Sequence, residues 1–230
     1  MHKYKYIFFD LDHTLWDYEK NSKTTLKLVY DHFQLFNLKI DFQRFYKTFK
    51  KVNNKLWIQY NRREISQQDI RTKRFVEIFS QFNLENKELC LQISNFYMEK
   101  GPQEIGLISG TISILNYLAD KYKMLILTNG FEHTQHTKLR CTNIKDYFHH
   151  VVTSENSGFV KPDTAIFDFA LNLCQIEPQH AIMIGDNLQT DILGAKNSGI
   201  DSVYFNPDYR QDTIGANYNI SSLHQLSDIL

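Results

Sequence analysis

The sequence predicts an α/β protein built on a doubly wound parallel sheet, with a helical domain inserted into it. Three observations carry this expectation. Short apolar runs, Ile7-Phe8-Phe9 first among them, have the length and content of strands covered on both faces. From Gly106 onward such runs alternate with segments of helical period, which is the rhythm of βαβ units. Between about Asp17 and Gly101 the alternation stops, and helical periodicity alone fills the stretch.

The elements follow in order. After the first strand, Leu26, Val29, Tyr30 and Phe33 are spaced i, i+3, i+4, i+7, and Phe42, Phe45, Tyr46 and Phe49 repeat the spacing, so two amphipathic helices are expected. A third begins at Ser66-x-x-Asp69, which has the form of a capping box, and carries Phe75, Ile78, Phe79 and Phe82 on one stripe. A fourth carries Leu89, Ile93, Phe96 and Tyr97 and is expected to stop near Gly101-Pro102. Helix and strand signals then alternate: a helix from Ile112 to Tyr122, strand Met124 to Leu127, helix Glu132 to Cys141, strand Val151-Val152 and helix Thr164 to Cys174. Strand Ala181 to Ile184, helix Thr190 to Ser198, strand Ser202 to Phe205 and a short closing helix with Leu223, Leu226 and Leu230 complete the chain. Residues 1–16 and 102–230 are thus expected to form a core of five parallel strands, and residues 17–101 a four-helix cap.

With 230 residues and 42% hydrophobic content the chain can bury a substantial core without staples. Lys plus Arg and Asp plus Glu are balanced at 26 each, which gives no support to a nucleic acid polymer or an anionic membrane as partner. Cys90, Cys141 and Cys174 are odd in number and far apart, as reduced thiols are, so a cytoplasmic location is the expectation. The N-terminal apolar run is short and ends in Asp10, unlike a signal peptide, and no run is long enough to span a bilayer.

The chemistry is expected where strands end. Asp10 and Asp12 follow the first strand, and side chains two apart on an extended chain project to one side. A helix N-cap or a polar turn after a core strand also suits Asp and Thr there. Two ionised carboxylates about 5 Å apart repel by about 3 kcal/mol at an effective dielectric near 20, so the pair calls for a cation or a lysine. Later strand ends supply partners: Thr128-Asn129-Gly130, Lys161-Pro162 before a helix, and Gly185-Asp186 with Asp191. Three carboxylates are hard oxygen ligands for Mg²⁺, a hydroxyl and a lysine suit phosphate oxygens, and an ionised Asp can attack phosphorus without a separate base. His133-x-x-His136 lacks a third ligand and reads as a solvated pair.

Asp10-Leu11-Asp12-His13-Thr14, Thr128-Asn129, Lys161-Pro162 and Gly185-Asp186 with Asp191 resemble, in order, the four motifs of the haloacid dehalogenase superfamily. The helical insert resembles the subgroup with a cap after the first motif. The longer strings DLDHTLWD, TNGF, GFVKPD and GDNLQTDILGA are most similar to bacterial house-cleaning pyrimidine 5′-nucleotidases. The resemblance implies a Mg²⁺-dependent phosphatase in which Asp10 is nucleophile and metal ligand, Asp12 is acid and base with its backbone carbonyl on the metal, and Asp186 is the remaining protein ligand. It makes Asp191 a support, and assigns Thr128, Lys161 and nearby Asn129 to the phosphoryl group. The implied substrate is a small phosphorylated metabolite, with nucleoside 5′-monophosphates favoured. His13 departs from the pattern, since many members have Gly there.

Rival readings stay open on the residues alone. A sugar-phosphate phosphatase or phosphomutase uses nearly the same core. A dehalogenase needs no general acid for an alkoxide and so no Asp12, and a non-catalytic binding module needs no intact set of Asp10, Asp12, Lys161 and Asp186.

Overall fold

The structure is a computed structural model describing residues 3–211 and 214–230. A six-stranded, all-parallel sheet with helices on both faces forms its centre, in the order β3-β2-β1-β4-β5-β6. The strands are β1 (Tyr6–Phe9), β2 (Lys123–Thr128), β3 (His150–Thr153), β4 (Ala181–Gly185), β5 (Asp201–Phe205) and β6 (Tyr218–Ile220). By contacts the chain divides into two compact units, one of residues 1–18 and 105–230, the other of residues 19–104.

Strand alternation builds the sheet unit, because successive side chains leave a strand on opposite faces. Ile7, Phe9, Met124, Ile126, Ile182 and Ile184 share one buried cluster with Ile114, Leu115 and Leu118 of α5 (Thr111–Ala119) and Leu139 of α6 (Glu132–Cys141). Phe8, Leu125, Leu127, Val152 and Met183 turn to the other face and meet Ile166, Phe167 and Ala170 of α8 (Thr164–Cys174). The short helix α7 (Ser154–Ser157) follows β3, and α9 (Leu193–Asn197) precedes β5.

Several expected elements differ in detail. The sixth strand, Tyr218–Ile220, has no apolar run of its own; only Ile220 is buried, and its register with Val203 to Phe205 is what makes it a strand. The helix expected from Thr190 begins as a π-helical turn at Leu188–Ile192, and the closing segment is a 3₁₀ helix, Leu223–Asp228. Cys90, Cys141 and Cys174 are free thiols. Among the described residues no helix is long and apolar enough to cross a membrane.

The helical unit contains α1 (Tyr18–His32), α2 (Phe42–Asn61), α3 (Gln67–Ser80) and α4 (Lys87–Lys100). Its core is aromatic: the Phe45 and Phe79 rings stack 6.0 Å apart, and Tyr97 lies 5.2 Å from Phe49 and 5.7 Å from Phe75. The capping box is formed, with the Ser66 hydroxyl accepting from the Asp69 amide at 3.1 Å and the Asp69 carboxylate accepting from the Ser66 amide at 2.8 Å. Replacing Ser66 by Ala leaves an amide of the first turn without its acceptor. The helical unit is expected to lose about 1 kcal/mol, read as a lower urea midpoint at unchanged slope.

Candidate functional site

The strand order brings the polar strand ends together. β1 pairs with β2 on one side and β4 on the other, in a register that matches Phe9 with Ile126 and Ile184. The residues that follow, Asp10 and Asp12, then Thr128, then Asp186, therefore emerge at neighbouring carboxyl ends of the sheet. β1 and β4 flank the point where the strand order reverses, which is where ligands bind in open α/β sheets.

Lys161 ties the site together. Its ammonium donates to the Asp10 carboxylate at 2.7 Å, to the Asp191 carboxylate at 2.6 Å and to the carbonyl oxygen of Leu127 at 2.7 Å. An ammonium has three protons, and all three have acceptors here. Burial works against the charge on Lys161, whose side chain is 2% exposed, but Asp10 and Asp191 more than offset it and raise its pKa above the ordinary lysine value. Asp191 is held in turn by the Asn187 amide at 3.1 Å and the Thr190 hydroxyl at 3.2 Å.

Asn129 and Thr128 have different parts in this arrangement. The Asn129 amide brackets the backbone of Lys161, accepting from its N–H at 2.7 Å and donating to its carbonyl at 3.0 Å. Asn129 thus fixes where Lys161 leaves the chain. The Thr128 hydroxyl oxygen accepts from the Gly130 amide at 3.0 Å and from Gln135 Nε2 at 3.1 Å. With both lone pairs engaged, its O–H proton is the part of the group directed to a further acceptor.

The carboxylates of Asp10, Asp186 and Asp191 can bring one oxygen each to within 4.8 Å of one another. One lysine cannot balance three negative charges. Burial pushes Asp10 well above the ordinary carboxylate range, with Asp191 and Asp186 adding to the rise against Lys161. Burial, and then the charge of Asp191, pushes Asp186 up to about 7, although the Thr14 hydroxyl donates to it at 3.3 Å. A crowded, oxygen-only, electron-rich set of this kind suits a small hard cation such as Mg²⁺.

Asp12 stands apart from this set. Its carboxylate accepts from Lys138 at 2.5 Å and from Gln135 at 2.8 Å, both on α6. Burial pulls its pKa up, but the charge of Lys138 and the hydrogen bonds from Gln135 and Lys138 outweigh burial and hold it below the usual value. The repulsion expected between Asp10 and Asp12 is thus relieved by two lysines, one for each carboxylate. Sequence reasoning identified Lys161 and missed Lys138 and Gln135. Their signal was a polar pair at i, i+3 beside Leu139, on the face of α6 that the sheet covers.

The loop between them is tightly wound. The amides of Thr14, Leu15 and Trp16 all donate to the carbonyl of Leu11, and His13 has φ of 64°, in the left-handed region. That conformation is the one glycine adopts without steric cost, and His13 holds it here with a side chain. The His13 ring lies 4.7 Å from that of Tyr18. Trp16 is 3% exposed and belongs to the core of the sheet unit.

A family model described as haloacid dehalogenase-like hydrolase matches residues 4–199. The pyrimidine 5′-nucleotidase YjjG of Escherichia coli is 31% identical over 231 residues, covering 99% of this chain and 98% of that protein. A glyceraldehyde 3-phosphate phosphatase of Pyrococcus furiosus is 27% identical, over 100% of this chain and 94% of that protein. Among solved structures, YfnB of Bacillus subtilis bound to magnesium superposes with a TM-score of 0.90 at 26% identity, covering 100% of this chain and 99% of that one.

Gly185 is what lets Asp191 reach Lys161, because a Cβ on Gly185 would lie 2.3 Å from an oxygen of the Asp191 carboxylate. Gly185→Ala is expected to displace Asp191 and to destabilise the fold by about 1–3 kcal/mol. Thermal melting would read the loss, and a crystal structure of the variant the displaced carboxylate.

Proposed function

We propose that this chain, which belongs to the haloacid dehalogenase-like hydrolase family, is a phosphatase that hydrolyses small phosphomonoesters through a phosphoryl group carried on Asp10, with nucleoside 5′-monophosphates as its preferred substrates. The observation that carries the reading is the separation of two carboxylates by their partners. Asp10 lies among Lys161, Asp186 and Asp191, whereas Asp12 lies under Lys138 and Gln135. One environment suits attack on phosphorus, the other proton transfer.

In the proposed reaction an oxygen of Asp10 forms a bond to phosphorus as the bond to the leaving oxygen breaks, and Asp12, a carboxylate in the free protein, takes the proton of the phosphomonoester monoanion and passes it to that oxygen. Asp12 then takes a proton from water as the water oxygen attacks phosphorus, the bond to Asp10 breaks, and inorganic phosphate leaves. Lys161 keeps Asp10 oriented and balances charge, while the Thr128 hydroxyl donates to a phosphoryl oxygen. Asn129 contributes by fixing the backbone of Lys161. Mg²⁺, held by Asp10, Asp186 and the backbone carbonyl of Asp12, would neutralise charge on the transferring group. Asp191 supports the set through Lys161.

The nucleotide preference is supported by the likeness to YjjG, and a sugar-phosphate preference by the likeness to the glyceraldehyde 3-phosphate phosphatase. Leaving-group specificity is assigned to the helical insert, residues 17–101, taken as a cap. Within it Trp57 and Tyr60 form an edge-to-face pair with centroids 5.5 Å apart.

Assayed on a panel, the protein should turn over pyrimidine 5′-monophosphates with higher kcat/KM than hexose or triose phosphates. Better turnover of the sugar phosphates would overturn the nucleotidase reading and keep the phosphatase. Asp10→Asn should abolish hydrolysis of every member, because the amide keeps the shape but is no anionic nucleophile. Substantial activity in that variant would remove the covalent route.

Metal binding has a definite pH dependence under this reading. A ligand pushed up to about 7, as Asp186 is, must lose its proton to bind, so Mg²⁺ affinity should rise as pH passes through 7 and level off above it. Titration calorimetry at several pH values reads this directly. A flat profile would take Asp186 out of the ligand set.

A further inference from the structure

Both oxygens of the Asp12 carboxylate are held by α6, at 2.5 Å from Lys138 Nζ and 2.8 Å from Gln135 Nε2. Gln135 is fully buried and Lys138 is 5% exposed, so neither is a solvated surface group. The two residues lie three apart on one helix and face the same way. Gln135 also reaches the Thr128 hydroxyl at 3.1 Å, which joins Asp12 and Thr128 through a single side chain. The ammonium of Lys138 sits 4.3 Å from the centre of the Trp16 ring, which fixes it from its other side. Gly130 makes the reach possible: a Cβ there would fall 1.6 Å from Gln135 Nε2.

Packing alone does not explain such an arrangement. A buried ion pair is rarely more stable than apolar side chains of the same volume, and Met in place of Lys138 would fill the same space beside Trp16. Among the described residues the hydrogen bonds of the Lys138 and Gln135 side chains go to Asp12 and, from Gln135, to Thr128.

We propose that Lys138 and Gln135 are positioning residues for proton transfer, clamping the Asp12 carboxylate in the one orientation from which it serves the leaving oxygen and then the attacking water. The inference rests on the reading of Asp12 as acid and base. Two fixed hydrogen bonds leave the carboxylate no rotation about its own axis. An unclamped Asp12 would sample orientations from which the leaving oxygen is out of reach, and proton transfer is sensitive to displacements of that size.

The test compares two leaving groups. An alkyl phosphate such as a nucleoside 5′-monophosphate needs a proton on its leaving oxygen, whereas para-nitrophenyl phosphate expels a stable phenolate and needs it far less. Because hydrolysis of the phosphoryl-enzyme is common to both esters, the reading is taken from kcat/KM, which reports the steps up to release of the leaving group. Lys138→Met and Gln135→Met are each expected to lower the ratio of kcat/KM on the alkyl ester to that on the aryl ester by about 10- to 100-fold. Lys138→Arg should recover part of the loss. In an Asp12→Asn background the further change to Lys138→Met should have no effect, because the group it positions is gone.

An unchanged ratio of kcat/KM between the two esters, or a full additional loss in the Asp12→Asn background, would overturn the inference. The parent reading is tested separately by Asp12→Asn alone. If that variant lowers the ratio of kcat/KM between the alkyl and the aryl ester and Lys138→Met does not, only the positioning role falls; if Asp12→Asn leaves that ratio unchanged, the acid role falls and the positioning role with it. Gln135→Met carries the same comparison should Lys138→Met fail to fold.

Discussion

Everything at the carboxyl edge of this sheet depends on how a buried lysine is satisfied. The ammonium of Lys161 is buried, and its three protons go to Asp10, Asp191 and a backbone carbonyl. Removing one partner of such a set leaves an uncompensated charge in a dry site, a loss of about 3–5 kcal/mol in comparable cases. Four separate segments of chain are thereby held to one another: the end of β1, the end of β2, the loop before α8, and the turn after β4. Gly185 and the Asn129 amide serve this same contact, one by giving Asp191 room and the other by fixing the backbone from which Lys161 extends.

The charge that Lys161 does not balance gives the site its chemical character. Asp10, Asp186 and Asp191 bring three carboxylates close together around one ammonium, and burial first, with the neighbouring carboxylates adding to it, raises the pKa values of Asp10 and Asp186. A hard divalent cation would balance the remaining charge. Asp12, only two residues along the chain from Asp10, is spared this crowding because the loop carries it to α6, where it meets a lysine of its own. Neighbouring carboxylates given different partners acquire different protonation behaviour, which is the usual way a protein assigns distinct roles to chemically identical groups.

The helical unit is organised on other lines. Its interior is a stack of aromatic rings, Phe45 on Phe79 and Phe49 with Phe75 and Tyr97, and its surface ion pairs, such as Lys50 with Glu19 and Lys55 with Glu77, are exposed and contribute little to stability. Nothing in that packing depends on the sheet's catalytic motifs. Relatives of this chain carry different names, a pyrimidine 5′-nucleotidase in one case and a glyceraldehyde 3-phosphate phosphatase in another.

What the sequence determined by itself was local. Ile7-Phe8-Phe9 reads as a strand because both faces are apolar, the aromatic stripes read as helices because of their period, and Ser66 reads as a cap because Asp69 follows at three residues. The strand-end polar residues were legible for the same reason, as each interrupts an apolar run. The tertiary structure decided what no period encodes. β6 exists because Val203 to Phe205 offer it an open edge, and the π-helical turn at Leu188–Ile192 belongs to the segment that carries Asp191 to Lys161. Lys138 and Gln135 look in sequence like the polar side of an ordinary helix. Only the docking of α6 against the sheet turns them inward to Asp12, since a buried charge reveals its function through the partner it meets, and that partner lies more than a hundred residues away along the chain.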